Sequence, residues 1–285
     1  MRRAEWFETL PDALRLYTPT YMGRSEEKEH FAYRTEYLRL STLSELLVFG
    51  RLPAFVWNEI LDGCDEFLTL AAAHRPPAPA VAEAGEDHAA KTLKRLEACL
   101  PQLVELDLDR ACRYGDKALP SLRRIVELCD GLIPAPEEGE VTVWHGDFCF
   151  SNIFYDFRAQ QIKVIDPRGR DFAGRYSIYG DRRYDLAKLS HSVVGQYDFI
   201  IAGHYDLKAY SGQAFEIDLP QPREIIALQS AFQDRTLAGT RMTDPAVSAM
   251  TVLLFLSMLP LHDDNPKRQR ALLANGLRLF AALDV

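Results

Sequence analysis

Three short motifs near the middle of the 285-residue chain gather the side chains best suited to chemistry. The first is His145-Gly146-Asp147-Phe148-Cys149-Phe150-Ser151-Asn152, where an apolar run ends in His-Gly-Asp and an asparagine follows five positions after the aspartate. In the second, the apolar run 162–165 ends in Asp166, 19 positions after Asp147. The third, Gly180-Asp181-Arg182-Arg183-Tyr184-Asp185-Leu186-Ala187-Lys188, opens a helix. Mg²⁺ is a hard cation that takes carboxylate and amide oxygens together with phosphate oxygens. Asn152 and Asp166, at the mouth of two short strands, can bring such oxygens together. Asp147 lies on the loop between them and can accept a hydrogen bond from an attacking hydroxyl. An aspartate at a strand end is more often a turn former or helix cap. The joint spacing, rather than any one residue, is what points to chemistry.

These motifs need a frame. VTVWHGD, SNIFYD and QIKVID are three β-prone runs within residues 141–166, and the pattern after residue 184 is helical. Residues 4–10 predict a short helix broken at Pro11. Residues 31–40 (FAYRTEYLRL) alternate, are rich in aromatics and predict a strand. Thr42 and Glu45 form a T-x-x-E capping box, so a helix is expected to start there. Further helices are expected over 54–72, 89–106, 119–132, 184–195, 223–240, 245–261 and 266–283, with Leu93, Leu96, Leu100 and Leu103 as packing residues. Residues 74–87 (HRPPAPAVAEAGED) are proline-rich, lack aromatics and read as a mobile surface loop. The expected organisation is a reduced N-terminal lobe over 1–40, then a mostly helical lobe over 41–285 with a β insertion that carries the motifs (141–190).

The series H-G-D-x-x-x-x-N, I-D, G-D-x-x-Y-D-L-A resembles the aminoglycoside phosphotransferase and choline kinase superfamily. The resemblance follows the order of elements over residues 5–285 and is specific over 141–190. It implies an α+β, protein-kinase-like fold and an ATP-dependent, Mg²⁺-requiring phosphotransferase acting on a hydroxyl of a small molecule. Phosphoryl transfer demands in-line alignment and neutralisation of the triphosphate more than covalent chemistry. On that template the resemblance assigns Asp147 as the catalytic base and orienter, and Asn152 and Asp166 as Mg²⁺ ligands. His145, Asp181 and Asp185 brace the loop. Residues 31–38 become the hinge strand, where the backbone near Glu36, Tyr37 and Leu38 holds adenine. A protein kinase is disfavoured, because D-F-G and A-P-E are missing and HGD stands where HRD would.

The sequence also departs from that pattern. Such enzymes carry N-terminal strands with a phosphate-covering loop and a lysine that pairs with a helix glutamate. Glu5 stands where that glutamate is expected. Lys28 comes too late, beside a charged run at 26–29 that reads as a turn. Three accounts stay open: a fragment of a longer product, a short protein that binds nucleotide weakly, and a scaffold. The intact Asp147, Asn152 and Asp166 set favours the first. The rival to an enzyme is a non-catalytic nucleotide-binding or scaffold pseudokinase. Acceptor-binding candidates are Arg168, His191 and Asp198, with Tyr197, His204 and His262 behind them. The acceptor classes are sugar, polyol, amino alcohol or aminoglycoside. The overall pattern resembles members tied to bacterial surface-polysaccharide synthesis, which points to a sugar or polyol.

Composition narrows the partners. The net charge of -8 and the lack of a dense Lys/Arg run argue against nucleic acid. The acidity suits a solvated surface and can attract a cationic substrate. The cysteines number five, an odd count without zinc-site spacing, so reduced thiols and a cytoplasmic location are expected. The N-terminus has no apolar signal region. The apolar stretch 246–261 is shorter than a membrane span, which needs roughly 20 residues, and reads as a buried helix. No membrane partner is expected, and the oligomeric state is open.

Overall fold

The computed structural model describes residues 2–27, 30–77, 87–103 and 106–283. In chain order the elements are α1 (Arg2–Thr9), α2 (Asp12–Arg15), β1 (Tyr21–Glu27), β2 (His30–Thr35), β3 (Ser41–Thr42), α3 (Leu43–Phe49), α4 (Ala54–Ala72) and α5 (His88–Cys99). There follow β4 (Ala111–Tyr114), β5 (Lys117–Ser121), α6 (Leu122–Gly131), β6 (Val141–Val143), β7 (Ile153–Asp156), β8 (Gln161–Val164), β9 (Tyr179–Asp181) and α7 (Arg182–Val193). The chain closes with α8 (Tyr197–Ile201), β10 (Asp206–Tyr210), β11 (Ala214–Asp218), α9 (Arg223–Gln233), β12 (Thr236–Leu237), β13 (Thr240–Arg241), α10 (Pro245–Ser257) and α11 (Pro266–Phe280). The fold is α+β. Packing divides it into one unit of residues 1–86, 135–189 and 230–242 and a second of 87–134, 190–229 and 243–285. Residues 1–40 thus pack with 41–86 in the same unit.

The first unit carries the motifs. In it β1 and β2 form an antiparallel hairpin, β3, β7 and β8 form a three-stranded sheet, and β6 pairs with β9. The capping box forms as expected: Thr42 accepts from the Glu45 amide, and the Glu45 carboxylate accepts from the Thr42 amide. α4 buries Trp57, Ile60, Leu61, Cys64, Phe67, Leu68 and Ala71, a helical stripe. Two of these hold the motif loop. Trp57 stacks on Phe150 with ring centroids 5.8 Å apart, and Phe67 stacks on Phe148 at 5.1 Å. Each buried phenylalanine contributes about 1.5–3 kcal/mol, so the loop is anchored on both sides of Cys149. The expected strand at 31–40 ends at Thr35, and 36–40 continue without regular structure. β1 runs through Glu27, so the front of the charged run expected as a turn is strand. Lys28 and most of the 74–87 loop lie outside the described residues.

The second unit is built on α5, α6, α10 and α11 over one apolar core. α10 is buried all round, as expected for the most apolar stretch of the chain. Several helices are shorter than their patterns suggested, α10 and α11 by three or four residues at their ends. α5 stops at Cys99, α6 begins after Ser121, whose hydroxyl caps the Arg124 amide, and α9 stops at Gln233. The expectation of helix throughout after residue 184 is corrected here, because β10 and β11 join β4 and β5 in a four-stranded sheet. These strands are four or five residues long. They gain their place by long-range pairing, β11 running parallel to β4, which a local pattern does not reveal. Among the described residues no helix is long and apolar enough to cross a membrane. All five cysteines are buried, and none of them is in a disulfide.

Candidate active site

The site grows from β6, whose three residues are all buried. Beyond it the Trp144 amide donates to the Ile178 carbonyl at 3.0 Å, and the Trp144 carbonyl accepts from the Trp6 indole at 3.0 Å. The Trp144 ring lies flat against Gly180. A Cβ at residue 180 would stand 2.3 Å from the indole, so only glycine fits. The next turn reverses the chain. Gly146 has φ of +77°, and a Cβ there would meet the Arg168 Cβ at 2.6 Å. Glycine is required by both conformation and space.

Asp185, in the first turn of α7, holds this turn from below. Its two carboxylate oxygens accept the His145 amide at 2.7 Å and the Gly146 amide at 2.8 Å. Burial pushes the Asp185 carboxyl up to about 7, against the pull of the amides it accepts. The His145 ring spans the loop. Its Nδ1 accepts the Asp147 amide at 3.3 Å, and its Nε2 lies 2.9 Å from the Ile165 carbonyl. Those partners fix the tautomer with the proton on Nε2. Burial pushes the ring down to about 4, so it is neutral at pH 7. A neutral histidine with both nitrogens engaged is a brace. Asp181 is a second brace, forked onto Arg183 with Nη2 at 2.7 Å, and Arg183 also reaches Glu140 at 3.4 Å.

The three residues singled out for chemistry are tied into one network. The Asn152 amide nitrogen donates to the Asp147 carbonyl at 3.0 Å, and the Asn152 carbonyl accepts the Ile165 amide at 3.0 Å, next to Asp166. The side chains of Asp147 and Asp166 remain 39% and 37% exposed, open to a ligand. Asp166 has φ of +59°, a left-handed conformation that aspartate tolerates better than most residues. Burial pushes its carboxyl up, Arg3 lowers it, and the charge of Asp147 raises it again.

The sequence profile of the APH phosphotransferase enzyme family matches residues 67–221, more than half of the chain. The chain belongs to this family. A Ralstonia eutropha JMP134 protein classed among the aminoglycoside phosphotransferases is similar in structure, with 12% identity and a TM-score of 0.53 over 98% of this chain and 82% of that one. An aminoglycoside-3'-phosphotransferase of type VIII aligns at 17% identity over 90% of this chain and 79% of that one, with a TM-score of 0.47. No curated protein matches the chain. The fold is thus that of an APH-family phosphotransferase, as the motifs implied.

The remaining candidates of this phosphotransferase-family chain fall in different places. Glu36, Tyr37 and Leu38 lie just past β2. The Glu36 amide donates to the Thr20 carbonyl at 2.9 Å, and its carboxylate accepts from the Thr20 amide at 3.2 Å and hydroxyl at 3.0 Å. Tyr37 is 83% exposed. Glu5 faces a cation from β1, Arg24, which is 4.0 Å away and 3.4 Å from Glu8. Arg168 points its guanidinium at the rings of Phe172, Trp144 and Tyr184, at 4.6, 5.5 and 5.5 Å. In the second unit His191 is buried between the Tyr197 and Phe255 rings, and Asp198 is buried in the first turn of α8. His262 reaches the Tyr197 hydroxyl at 3.3 Å, and His204 is exposed.

Two residues escaped the sequence reading. Lys188 Nζ is 2.9 Å from Asp147 Oδ1, and Arg3 Nη1 is 2.5 Å from Asp166 Oδ1. A signal for Lys188 was present, since it stands three positions after Asp185 on the same helix face. No local pattern marks Arg3, which tertiary folding alone brings to Asp166.

The residues suit a magnesium ion. Asp147 holds the nitrogen end of the Asn152 amide, which leaves the oxygen end to face elsewhere. The Asp166 carboxylate already draws a cation, the Arg3 guanidinium. Among the described residues no three His, Cys, Asp or Glu side chains cluster as a metal cage. Mg²⁺ usually needs only one or two protein carboxylates beside waters and phosphate oxygens.

Proposed function

We propose that the protein transfers the γ-phosphoryl group of ATP to a hydroxyl of a small molecule. The reading is carried by the network that joins Asp147, Asn152 and the Asp166 turn while leaving both carboxylates accessible. In it Asp147 accepts the acceptor hydroxyl and orients its oxygen at the γ-phosphorus. The new O–P bond forms as the P–O bond to the β-phosphate breaks. ADP leaves with that electron pair, and the hydroxyl proton passes to the Asp147 carboxylate and on to solvent. Mg²⁺, when bound through Asn152 and Asp166, supplies positive charge to the triphosphate. His145 and Asp185 hold the turn so that Asp147 arrives preorganised. The backbone near Glu36, Tyr37 and Leu38 is the proposed adenine-binding segment. A sugar or polyol acceptor is the preferred class.

The test is MgATP turnover with a panel of sugars, polyols, amino alcohols and aminoglycosides. Asp147→Ala is expected to lower kcat of the folded protein on the order of 10²-fold to 10⁴-fold. Equal turnover by wild type and variant would sink the proposal. One observation favours the non-catalytic reading, namely the Arg3 guanidinium on the Asp166 carboxylate. A rise in melting temperature with MgATP but no turnover of any acceptor would select it.

A further inference from the structure

Lys188 is poorly explained as a packing residue. Its side chain is 15% exposed, yet its ionic partner Asp147 is 39% exposed. Here the lysine is sunk and its carboxylate opens outward, so Asp147 can meet a ligand while it stays paired. Burial by itself would lower the Lys188 pKa, but the charge of Asp147, supported by Tyr184 and Cys149, outweighs burial and raises it, so the ammonium stays charged. The Tyr184 ring lies 6.0 Å from Nζ and backs the cation on one side. Arg168, the other cation beside Tyr184, is stacked among three rings.

Geometry places that ammonium next to the transfer step. A hydroxyl that donates to Asp147 brings its oxygen about 2.7 Å from the carboxylate. Since Nζ is 2.9 Å from Oδ1, an attacking oxygen bound to that same carboxylate oxygen lies within roughly 6 Å of the ammonium. The phosphoryl group moves onto that oxygen, so its own oxygens enter the same space. A fixed cation in a partly enclosed site acts on developing charge more strongly than one in water.

We propose that Lys188 is a catalytic residue that contacts the γ-phosphoryl oxygens of the nucleotide while it stays paired with Asp147. This rests on the phosphotransfer reading above. Lys188 neither gains nor loses a proton in the step. It compensates the charge of Asp147 before transfer and that of the moving phosphoryl group during it.

Calorimetric titration with MgAMPPNP and MgADP separates this role from a structural one, because only the first carries a γ-phosphoryl group. Lys188→Met is expected to weaken MgAMPPNP on the order of tenfold or more, the usual scale for losing a charge-assisted hydrogen bond, and MgADP by less than about twofold. Lys188→Arg should keep most of the MgAMPPNP affinity. If Lys188→Met fails to fold because Asp147 is left unpaired, the double variant Asp147→Asn/Lys188→Met, which strands neither charge, makes the same comparison of the two nucleotides against wild type. Equal losses for both nucleotides, or no loss, would overturn the assignment and leave phosphotransfer standing. Wild type that binds neither nucleotide would overturn the phosphotransfer reading and the role of Lys188 with it.

Discussion

The two units use buried polar groups in opposite ways. In the first, the groups withdrawn from water are chiefly ionisable: His145, Asp181, Arg183 and Asp185 around the candidate active site. In the second, neutral hydroxyls and amides predominate, with His88, His191 and Asp198 as the ionisable exceptions. Gln196 donates to the Pro220 carbonyl at 2.8 Å, Gln269 to Leu259 at 2.9 Å and Asn275 to Gly195 at 2.6 Å. A buried amide satisfied by a carbonyl latches irregular backbone and is indifferent to pH. A buried carboxylate or imidazole costs more to enclose and returns a fixed charge distribution. The difference separates a region built to hold potential from one built to hold shape.

That contrast can be broken in three ways. The largest effect is expected in the second unit. Phe255 is fully buried on α10 against His191, so Phe255→Ala should cost about 3–5 kcal/mol in chemical denaturation. MgAMPPNP affinity of the folded fraction should hold, and a parallel loss of affinity would show that shape and potential are not separable.

The second test concerns pH. His145 titrates near its ordinary value of 6.5 when unfolded but is pushed down to about 4 when folded. Between those values the unfolded chain binds the extra proton, so stability falls as pH drops from 6.5 to 4, by about 3 kcal/mol at the lower end. Asp185, raised to about 7, works in the opposite direction over much of the same window. Its contribution cancels when wild type is compared with His145→Gln. The difference in unfolding free energy between the two proteins should therefore shrink or change sign by about 3 kcal/mol from pH 7 to 4. Parallel pH profiles would mean the imidazole is not held neutral.

The smallest effect sharpens the comparison. Thr42 caps α3 through an exposed box remote from both kinds of buried group. Thr42→Ala should cost about 1 kcal/mol with no change in pH profile, and thus gives a baseline for a purely local loss.

The same contrast explains what could be read from the sequence. The Asp147, Asn152 and Asp166 motifs stood out because phosphoryl transfer would demand particular residue types at particular intervals, and α4 was legible because its apolar stripe is long and regular. The strands of the second unit were hidden because DLKAY and AFEID are too short to show a period, and β4 lies about a hundred residues from β11. The strand over 31–40 was overextended because alternation continues past Thr35, while Glu36 leaves the hairpin to bind Thr20. His191 and Asp198 looked like ligands because polar residues in a helical stretch draw notice, yet their burial follows from neighbours in other elements. Lys188 was passed over because the motif ends at Ala187, although helix geometry put it on the face that carries Asp185.

The contact between Trp144 and Gly180 has a bearing on descent. With 2.3 Å between the indole and any β-carbon at 180, that position cannot gain a side chain while Trp144 stands. A lineage that does so must first trade the tryptophan for something slimmer, whose backbone carbonyl could still receive Trp6. Among relatives of this chain a side chain at 180 should therefore occur only with a slighter residue at 144, whereas glycine at 180 tolerates either.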